Sequence, residues 1–425
     1  MTSAIQVQPS GPIHASIRPP GSKSLTNRAL VCAALAKGES ILSGALDSED
    51  TRVMIEALRQ LGVEVECDAK AKTIRVAGCN GRPPATQSNL FAANSGTTIR
   101  FLTALVTLTQ GLFRLDGTPR MRERPIQDLL DALNQLGANT KCELGNGCPP
   151  VLVEASGLPG GSAAIAGDIS SQFLSALLMA APCAKNSVEL ILRGRLVSQP
   201  YVTMTIAVMK AFGVSVEVQS NRFFVNTGQG YQGREFHIEP DASAASYFFA
   251  AAAITGGKIT VEGLSHHSVQ GDVAFCDCLE KMGCTVEYAE NAITVSGKRL
   301  HGIEVDMNAI SDTVQTLAAV ALFADGPTTI TGVAHIRHKE TDRIHALAGE
   351  LRKIGAAVDE RPDGLRITPG KLRAAKIETY DDHRMAMSLA LVGLKVPGIT
   401  ILNPECTEKT YPDFFEDLTR LAHST

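Results

Sequence analysis

The sequence predicts an α/β (α+β) fold of two lobes, each built from three repeated units of sheet and buried helix. The first observation behind this is a repeat. Six alanine- and leucine-rich helical runs begin near Arg28, Arg100, Phe173, Tyr247, Gln315 and Arg384, at steps of 72, 73, 74, 68 and 69 residues. A period that steady marks one supersecondary unit copied six times. The second observation is that these runs are apolar nearly all round, as in FFAAAAI and LAAVALFA. Helices on the outside of a doubly wound sheet would be amphipathic, so these belong inside. The third is a pair of breaker clusters, Pro19-Pro20-Gly21 and Glu239-Pro240-Asp241, just ahead of the first and fourth units. They place an N-terminal lobe at 21–239 and a C-terminal lobe at 1–20 plus 240–425, joined by two crossover segments. A cleft between lobes is where a ligand is expected.

Within each unit the buried helix leads to a strand and turn: ESILSG, LFRLDG, VELILRG, KITVEG, TTITG and ITILN. A second helix follows, and its end keeps the period: LRQLGVEV at 58–65, LNQLGANT at 133–140, MKAFGVSV at 209–216, LEKMGCTV at 279–286 and LRKIGAAV at 351–358. Apolar residues four and one positions before each glycine share one helix face. The glycine supplies a left-handed cap, and the alternating stretch after it, such as VSVEV after Gly213, reads as a strand. The sixth copy, FFEDLTRL at 414–421, reaches the C-terminus before its glycine.

A formal charge of −4 excludes the broad basic field of a nucleic-acid binder, so any anion must be held by local basic groups. No apolar stretch has transmembrane length, and the first residues lack the basic and apolar regions of a signal peptide. The ten cysteines are scattered, and the one close pair, Cys276 and Cys278, points to different sides of a helix. Reduced structural thiols in a cytoplasmic protein without a metal site are expected.

The helix starts carry the chemistry. The first three read GSKSLTNR (21–28), NSGTTIR (94–100) and GDISSQF (167–173). Glycine admits an oxygen close to the backbone, serine and threonine donate hydroxyls, and Lys23, Arg28 and Arg100 add charge, which is phosphate-cradling chemistry without a Walker sequence. The last three starts, PDASAAS, ISDT and YDDHR, put Asp241, Asp312 and Asp382 at cap positions. Asp241 reads as a cap alone, whereas Asp312 begins a helix facing the cleft and can accept a proton from a hydroxyl. Four strand-to-helix turns in the same slot of the repeat are basic: RMRERP (120–125), RGRLVSQPY (193–201), RHKETDR (337–343) and ECTEKTYP (405–412). Pro125, Pro200 and Pro412 in them read as first helical positions. So many arginines and lysines imply more than one anionic group, as in a pair of substrates bearing phosphates and carboxylates.

No Ser-His-Asp order, metal set or Rossmann glycine motif is present. What remains is an anion-rich site with Lys23, Asp312, Glu340, His383 and Lys409 as ionisable groups, suited to orienting two anions and moving protons between them.

These motifs, PGSKS, NSGTTIR, RMRERPI, SSQFLSALLMAAP, DASAASYFFAAAA, KETDR and DDHRMAMS, occur in an order that closely resembles the 5-enolpyruvylshikimate-3-phosphate synthases among the enolpyruvyl transferases. The resemblance runs from PGSKSLTNRA near residue 20 to KTYPDFFE near 416. It implies a two-lobed inside-out α/β barrel. It also implies transfer of the enolpyruvyl group of phosphoenolpyruvate to the 5-hydroxyl of shikimate 3-phosphate, by addition and elimination through a tetrahedral intermediate, with no metal and no cofactor. Such an enzyme serves aromatic amino-acid biosynthesis in the cytoplasm as a monomer, with no nucleic-acid or membrane partner. Carried onto matching positions, the shikimate 3-phosphate set is Lys23, Ser24, Arg28, Ser170, Ser171, Gln172, Ser198, Tyr201, Asp312, His335 and Lys339. The phosphoenolpyruvate set is Lys23, Asn94, Gly96, Thr97, Arg124, Gln172, Arg343, Arg384 and Lys409. The resemblance makes Lys23, Asp312 and Glu340 catalytic: Lys23 bridges both substrates, Asp312 takes or orients the hydroxyl proton, and Glu340 delivers a proton to the methylene carbon.

The chain departs from the family's commoner pattern at several places. His335 stands where asparagine is frequent and His338 where valine is frequent. The loop reads NSGTTIRF against a commoner NAGTAMRP, so Ser95, Thr98, Ile99 and Phe101 differ. Phe101 in place of proline restores a backbone N–H and removes a fixed φ beside Gly96 and Thr97, in the region that the inhibitor glyphosate occupies in the family. Two other readings compete. The sister transferase acting on UDP-N-acetylglucosamine commonly has a cysteine in its arginine-bearing loop, and residues 111–125 here have none. A non-catalytic anion-binding protein on the same scaffold would not need Lys23, Asp312, Glu340, Arg343 and Arg384, all present.

Overall fold

The computed structural model describes residues 3–423. The chain forms two compact units, Gly21–Ile238 and Met1–Pro20 with Glu239–Thr425, so Glu239 goes with the C-terminal unit.

In the N-terminal unit the buried helices are α1 (Lys23–Leu35), α3 (Gly96–Val106) and α5 (Ser171–Ala180), each followed by an outer helix: α2 (Glu49–Gln60), α4 (Gln127–Gln135) and α6 (Gln199–Ala211). Three four-stranded sheets surround them, and each has one parallel pair extended by an antiparallel hairpin. In the first, Lys37–Ser43 runs parallel to Glu235–His237 and antiparallel to Thr73–Cys79, which pairs with Glu64–Asp68. The second and third repeat that order around Gln110–Asp116 and Val188–Arg193. Strand Glu235–His237 comes from the end of the unit, so the last strand closes the first sheet.

The C-terminal unit repeats the pattern with buried α7 (Ala242–Thr255), α9 (Val314–Ala321) and α11 (His383–Gly393), and outer α8 (Phe275–Lys281), α10 (Arg343–Ile354) and α12 (Phe414–Ala422). Among the described residues two of its sheets have four strands and the third has three. In the third, Thr400–Leu402 runs parallel to Lys376–Ile377, and Ala4–Gln6 takes the antiparallel place beside it.

Every residue of α7 and α11 is buried, as their all-round apolar sequences require. By contrast α2, α4 and α12 bury one face and expose the other. Each unit has its own hydrophobic core around its three inner helices. Replacing one large core ring, such as the fully buried Phe248, by alanine costs about 3–5 kcal/mol. The repeated glycines Gly62, Gly137, Gly213, Gly283 and Gly355 all have positive φ, between 84° and 116°, and end the outer helices as expected.

Three local expectations need correction. Asp312 is not a helix cap: α9 starts at Val314, and Asp312 lies in a 3-10 turn, Asn308–Thr313, kinked at Ile310. Pro125 and Pro412 stand outside α4 and α12, each just before the N-cap residue, where they stiffen the approach. Only Pro200 falls within the first turn of its helix.

Candidate active site

Each unit gathers its candidate residues at or just before the N-terminal ends of its inner and outer helices, where unpaired backbone N–H groups and the helix dipole favour negative charge. In the N-terminal unit Ser22, Ser95 and Ser170 cap α1, α3 and α5 by accepting from Leu25, Thr98 and Gln172 N–H groups. Cross-links then tie the three starts together. Asn27 Nδ2 donates to Thr97 Oγ1 at 2.8 Å, joining α1 to α3. Arg100 donates to Gln172 Oε1 at 2.8 Å, joining α3 to α5, and to the Pro125 carbonyl at 2.9 Å.

Arg28 is fully buried. Its Nε donates to Thr205 Oγ1 (2.7 Å), and its terminal nitrogens donate to the carbonyls of Ser24 (2.9 Å) and Tyr201 (3.2 Å). The rings of Phe101 and Tyr201 flank it at 5.3 and 5.9 Å. All of these partners are neutral, so burial pushes the guanidinium pKa down to about 10, leaving it cationic at neutral pH. Lys23 Nζ, at the first position of α1, lies 3.3 Å from the buried Asp50 of α2.

Gly96 leaves no room for a side chain. A Cβ built there would stand 2.6 Å from a terminal nitrogen of both Arg100 and Arg124, and 3.1 Å from Gln172 Oε1. Two guanidinium groups thus crowd the first residue of α3. Arg124 is held by the Asn94 carbonyl (2.9 Å) and side-chain oxygen (3.0 Å). Ser171 and Ser198 are buried; Ser198 caps α6 with a left-handed backbone, φ 50°, and Tyr201 sits one turn along.

In the C-terminal unit one arginine organises the site. Arg343, first residue of α10, donates from Nε to Asp382 (2.7 Å), from NH2 to Asp382 (3.2 Å) and Glu340 (2.9 Å), and from NH1 to Asp312 (3.2 Å). Burial alone would lower its pKa, but the carboxylates of Asp382, Glu340 and Asp312 outweigh that and raise it. The second oxygen of Asp312 accepts from Arg384 at 2.8 Å, and Lys339 Nζ is 3.8 Å from the first. Asp382 also caps α11 through the Arg384 N–H (2.9 Å). Lys409 is buried on the 3-10 turn Pro404–Lys409, which packs against α11, and it disfavours a proton on His383.

Two histidines here are held neutral. Burial, helped by nearby Lys339, lowers His335 to about 3. Burial and adjacent Arg384 push His383 well below its usual range. His335 therefore presents a neutral imidazole, which still has one N–H to donate.

Sequence reasoning did not single out Asp50, Thr205, or Asp382 as the partner of Arg343. Asp50 reads as an ordinary acid in a first helical turn, and its approach to Lys23 is a long-range contact with no local signal. Asp382 reads as a cap, and it is one; its second task comes only from the packing of α10 beside α11.

Inner helices that open on buried arginines, a lysine and hydroxyls, and a carboxylate cluster knit by arginine, define a binder of polyanions that carries acid–base groups. Comparison with known proteins narrows this. A sequence model of the family "EPSP synthase (3-phosphoshikimate 1-carboxyvinyltransferase)" matches residues 7–418. The 3-phosphoshikimate 1-carboxyvinyltransferase of Nostoc punctiforme is 50% identical over 406 residues, 95% of each chain. The chloroplastic protein of that name from Arabidopsis thaliana is 49% identical over 99% of this chain and 84% of its own. An EPSP synthase structure from Acinetobacter baumannii superposes with a TM-score of 0.83 at 27% identity, covering 99% of this chain and 98% of the other. The chain belongs to the EPSP synthase family.

Proposed function

We propose that this protein transfers the enolpyruvyl group of phosphoenolpyruvate to the 5-hydroxyl of shikimate 3-phosphate and releases phosphate, in aromatic amino-acid biosynthesis. The observation that carries the chemistry is the Asp312–Arg343–Glu340 cluster with Arg384. Two carboxylates sit there at hydrogen-bond distance from shared cations that an anionic substrate can claim.

The addition step forms a bond from the shikimate oxygen to C2 of phosphoenolpyruvate while C3 takes a proton. Asp312 accepts or orients the hydroxyl proton, and Glu340 supplies the proton to C3. Without substrate, Arg343 donates to both carboxylates and Arg384 to Asp312. When the carboxylate and phosphate of phosphoenolpyruvate engage Arg343, Arg384 and Lys409, the added negative charge makes Glu340 and Asp312 more ready to hold a proton. Elimination reverses the C3 protonation and breaks the C2–O bond to phosphate, giving the enol ether.

Lys23, Ser24, Arg28, Ser170, Ser171, Gln172, Ser198 and Tyr201 serve shikimate 3-phosphate, as do Asp312, His335 and Lys339. Asn94, Gly96, Thr97 and Arg124 serve phosphoenolpyruvate, and Lys23 and Gln172 touch both substrates. Arg28 fits this reading because a bound anion supplies the charge that its neutral partners lack. No helix of the described residues is long and apolar enough to cross a membrane.

Asp312→Ala and Glu340→Ala test the roles. Each should lower kcat by about 10²–10⁴-fold, the usual contribution of a positioned acid or base, while substrate binding persists. Near-normal turnover in either variant removes that residue from the mechanism.

A further inference from the structure

Helix α10 grips the segment leading into α11 at two points seven residues apart. At one, Arg343 holds Asp382. At the other, Glu350, whose side chain has no solvent exposure, accepts the Tyr380 hydroxyl on Oε1 (2.8 Å) and the Glu378 N–H on Oε2 (3.2 Å). Lys353 Nζ lies 2.7 and 3.0 Å from the same two oxygens, which keeps a charged acceptor inside the protein. The Tyr380 hydroxyl reaches Glu350 across Gly349, where a Cβ would meet it at 3.9 Å.

Between the two grips the backbone is strained. Tyr380 and Asp381 both have left-handed φ, 54° and 55°. A non-glycine residue there is uncommon, and two in succession persist only when the surroundings over-determine them. The surroundings do so here. Asp381 accepts from Asn403 Nδ2 (3.2 Å), and Asp382 N–H closes the turn on the Thr379 carbonyl (2.9 Å). The turn delivers Asp382, which caps α11 and orders Arg343, and Arg384, which pairs with Asp312.

We infer that Glu350 and Tyr380 are positioning residues: the hydrogen bond from the partly exposed Tyr380 to the buried Glu350 carboxylate holds the 379–382 turn in its left-handed form and so aims Arg384 at its anionic ligand. The inference rests on the proposed role of Arg384 toward phosphoenolpyruvate. Both residues act on the site through the turn.

Steady-state kinetics of Tyr380→Phe, Glu350→Gln, the double variant and Arg384→Lys test it. Tyr380→Phe keeps the ring and removes one hydroxyl. Loss of a hydrogen bond to a charged acceptor should raise KM for phosphoenolpyruvate by about three- to tenfold. KM for shikimate 3-phosphate and kcat should stay within about twofold, the split expected when a binding group is misplaced and the reacting groups are not. Glu350→Gln should move the same constant, and the double variant should add little to it, since both remove one interaction. In an Arg384→Lys background the Tyr380→Phe effect should vanish. Equal changes in both KM values, or lower thermal stability with unchanged kinetics, would overturn the inference and leave the pair merely structural. If Arg384→Lys itself leaves KM for phosphoenolpyruvate unchanged, the role proposed for Arg384 fails instead.

Discussion

Replacing His335 by asparagine should flatten the acid side of the stability profile. His335 lies in the 3-10 turn Ala334–His338 with 5% of its surface exposed. Burial and Lys339 depress its pKa to about 3, against about 6.5 in an unfolded chain. A depressed folded pKa means that the unfolded state binds more protons between those two values, so stability is full above about pH 6.5 and falls as the pH drops. At about pH 5 the unfolded histidine gains RT ln(1 + 10^1.5), or about 2 kcal/mol, which the folded state does not share. Asparagine does not titrate, so His335→Asn should lose about 2 kcal/mol less than the parent between about pH 7.5 and about pH 5. His383 contributes equally to both proteins and cancels. Urea unfolding followed by circular dichroism, with hydrogen exchange of α9 and α10 to assign the transition to the C-terminal unit, makes the measurement. Identical pH slopes for the two proteins would refute a buried neutral His335.

Two further substitutions follow from single contacts. Asp382→Ala removes the two-nitrogen grip on Arg343 and the cap of α11; Glu340 and Asp312 remain, so destabilisation should be about 3 kcal/mol, and denaturant titration showing under about 1 kcal/mol contradicts the buried pairing. Gly96→Ala puts a methyl 2.6 Å from the tips of two flexible arginines, so the protein should fold normally while KM for phosphoenolpyruvate rises about tenfold, a loss of about 1.4 kcal/mol; an unchanged KM means that those guanidinium groups do not serve that substrate.

The architecture was legible because it is periodic. Apolar residues four and one places before a glycine, repeated five times, specify a helix face and its left-handed end without reference to anything distant. Aspartate caps were legible for the same reason: Asp241 and Asp382 each bond to a backbone N–H two or three residues on. Asp312 looked like a third. The kink at Ile310 puts a 3-10 turn ahead of α9, and three cations draw its carboxylate away from the backbone. Long-range pairings were the part hidden from the sequence. Lys23 with Asp50, Arg28 with Thr205, and Glu350 with Tyr380 join residues 27 to 177 positions apart, and each member has an ordinary local reading as a helix start, a helix interior or a turn. The non-glycine left-handed residues Ala93, Ser198, Tyr380 and Asp381 were hidden too, since nothing in an alanine, a serine or a tyrosine announces that conformation.

The central claim is that the anion-binding groups and the carboxylate pair serve one transfer between two particular substrates. Phosphate release from phosphoenolpyruvate, followed continuously with and without shikimate 3-phosphate, tests it most directly. The account predicts release only when shikimate 3-phosphate is present, with one enol ether formed per phosphate. Release that proceeds equally without it, or no release with both substrates present, would contradict the account.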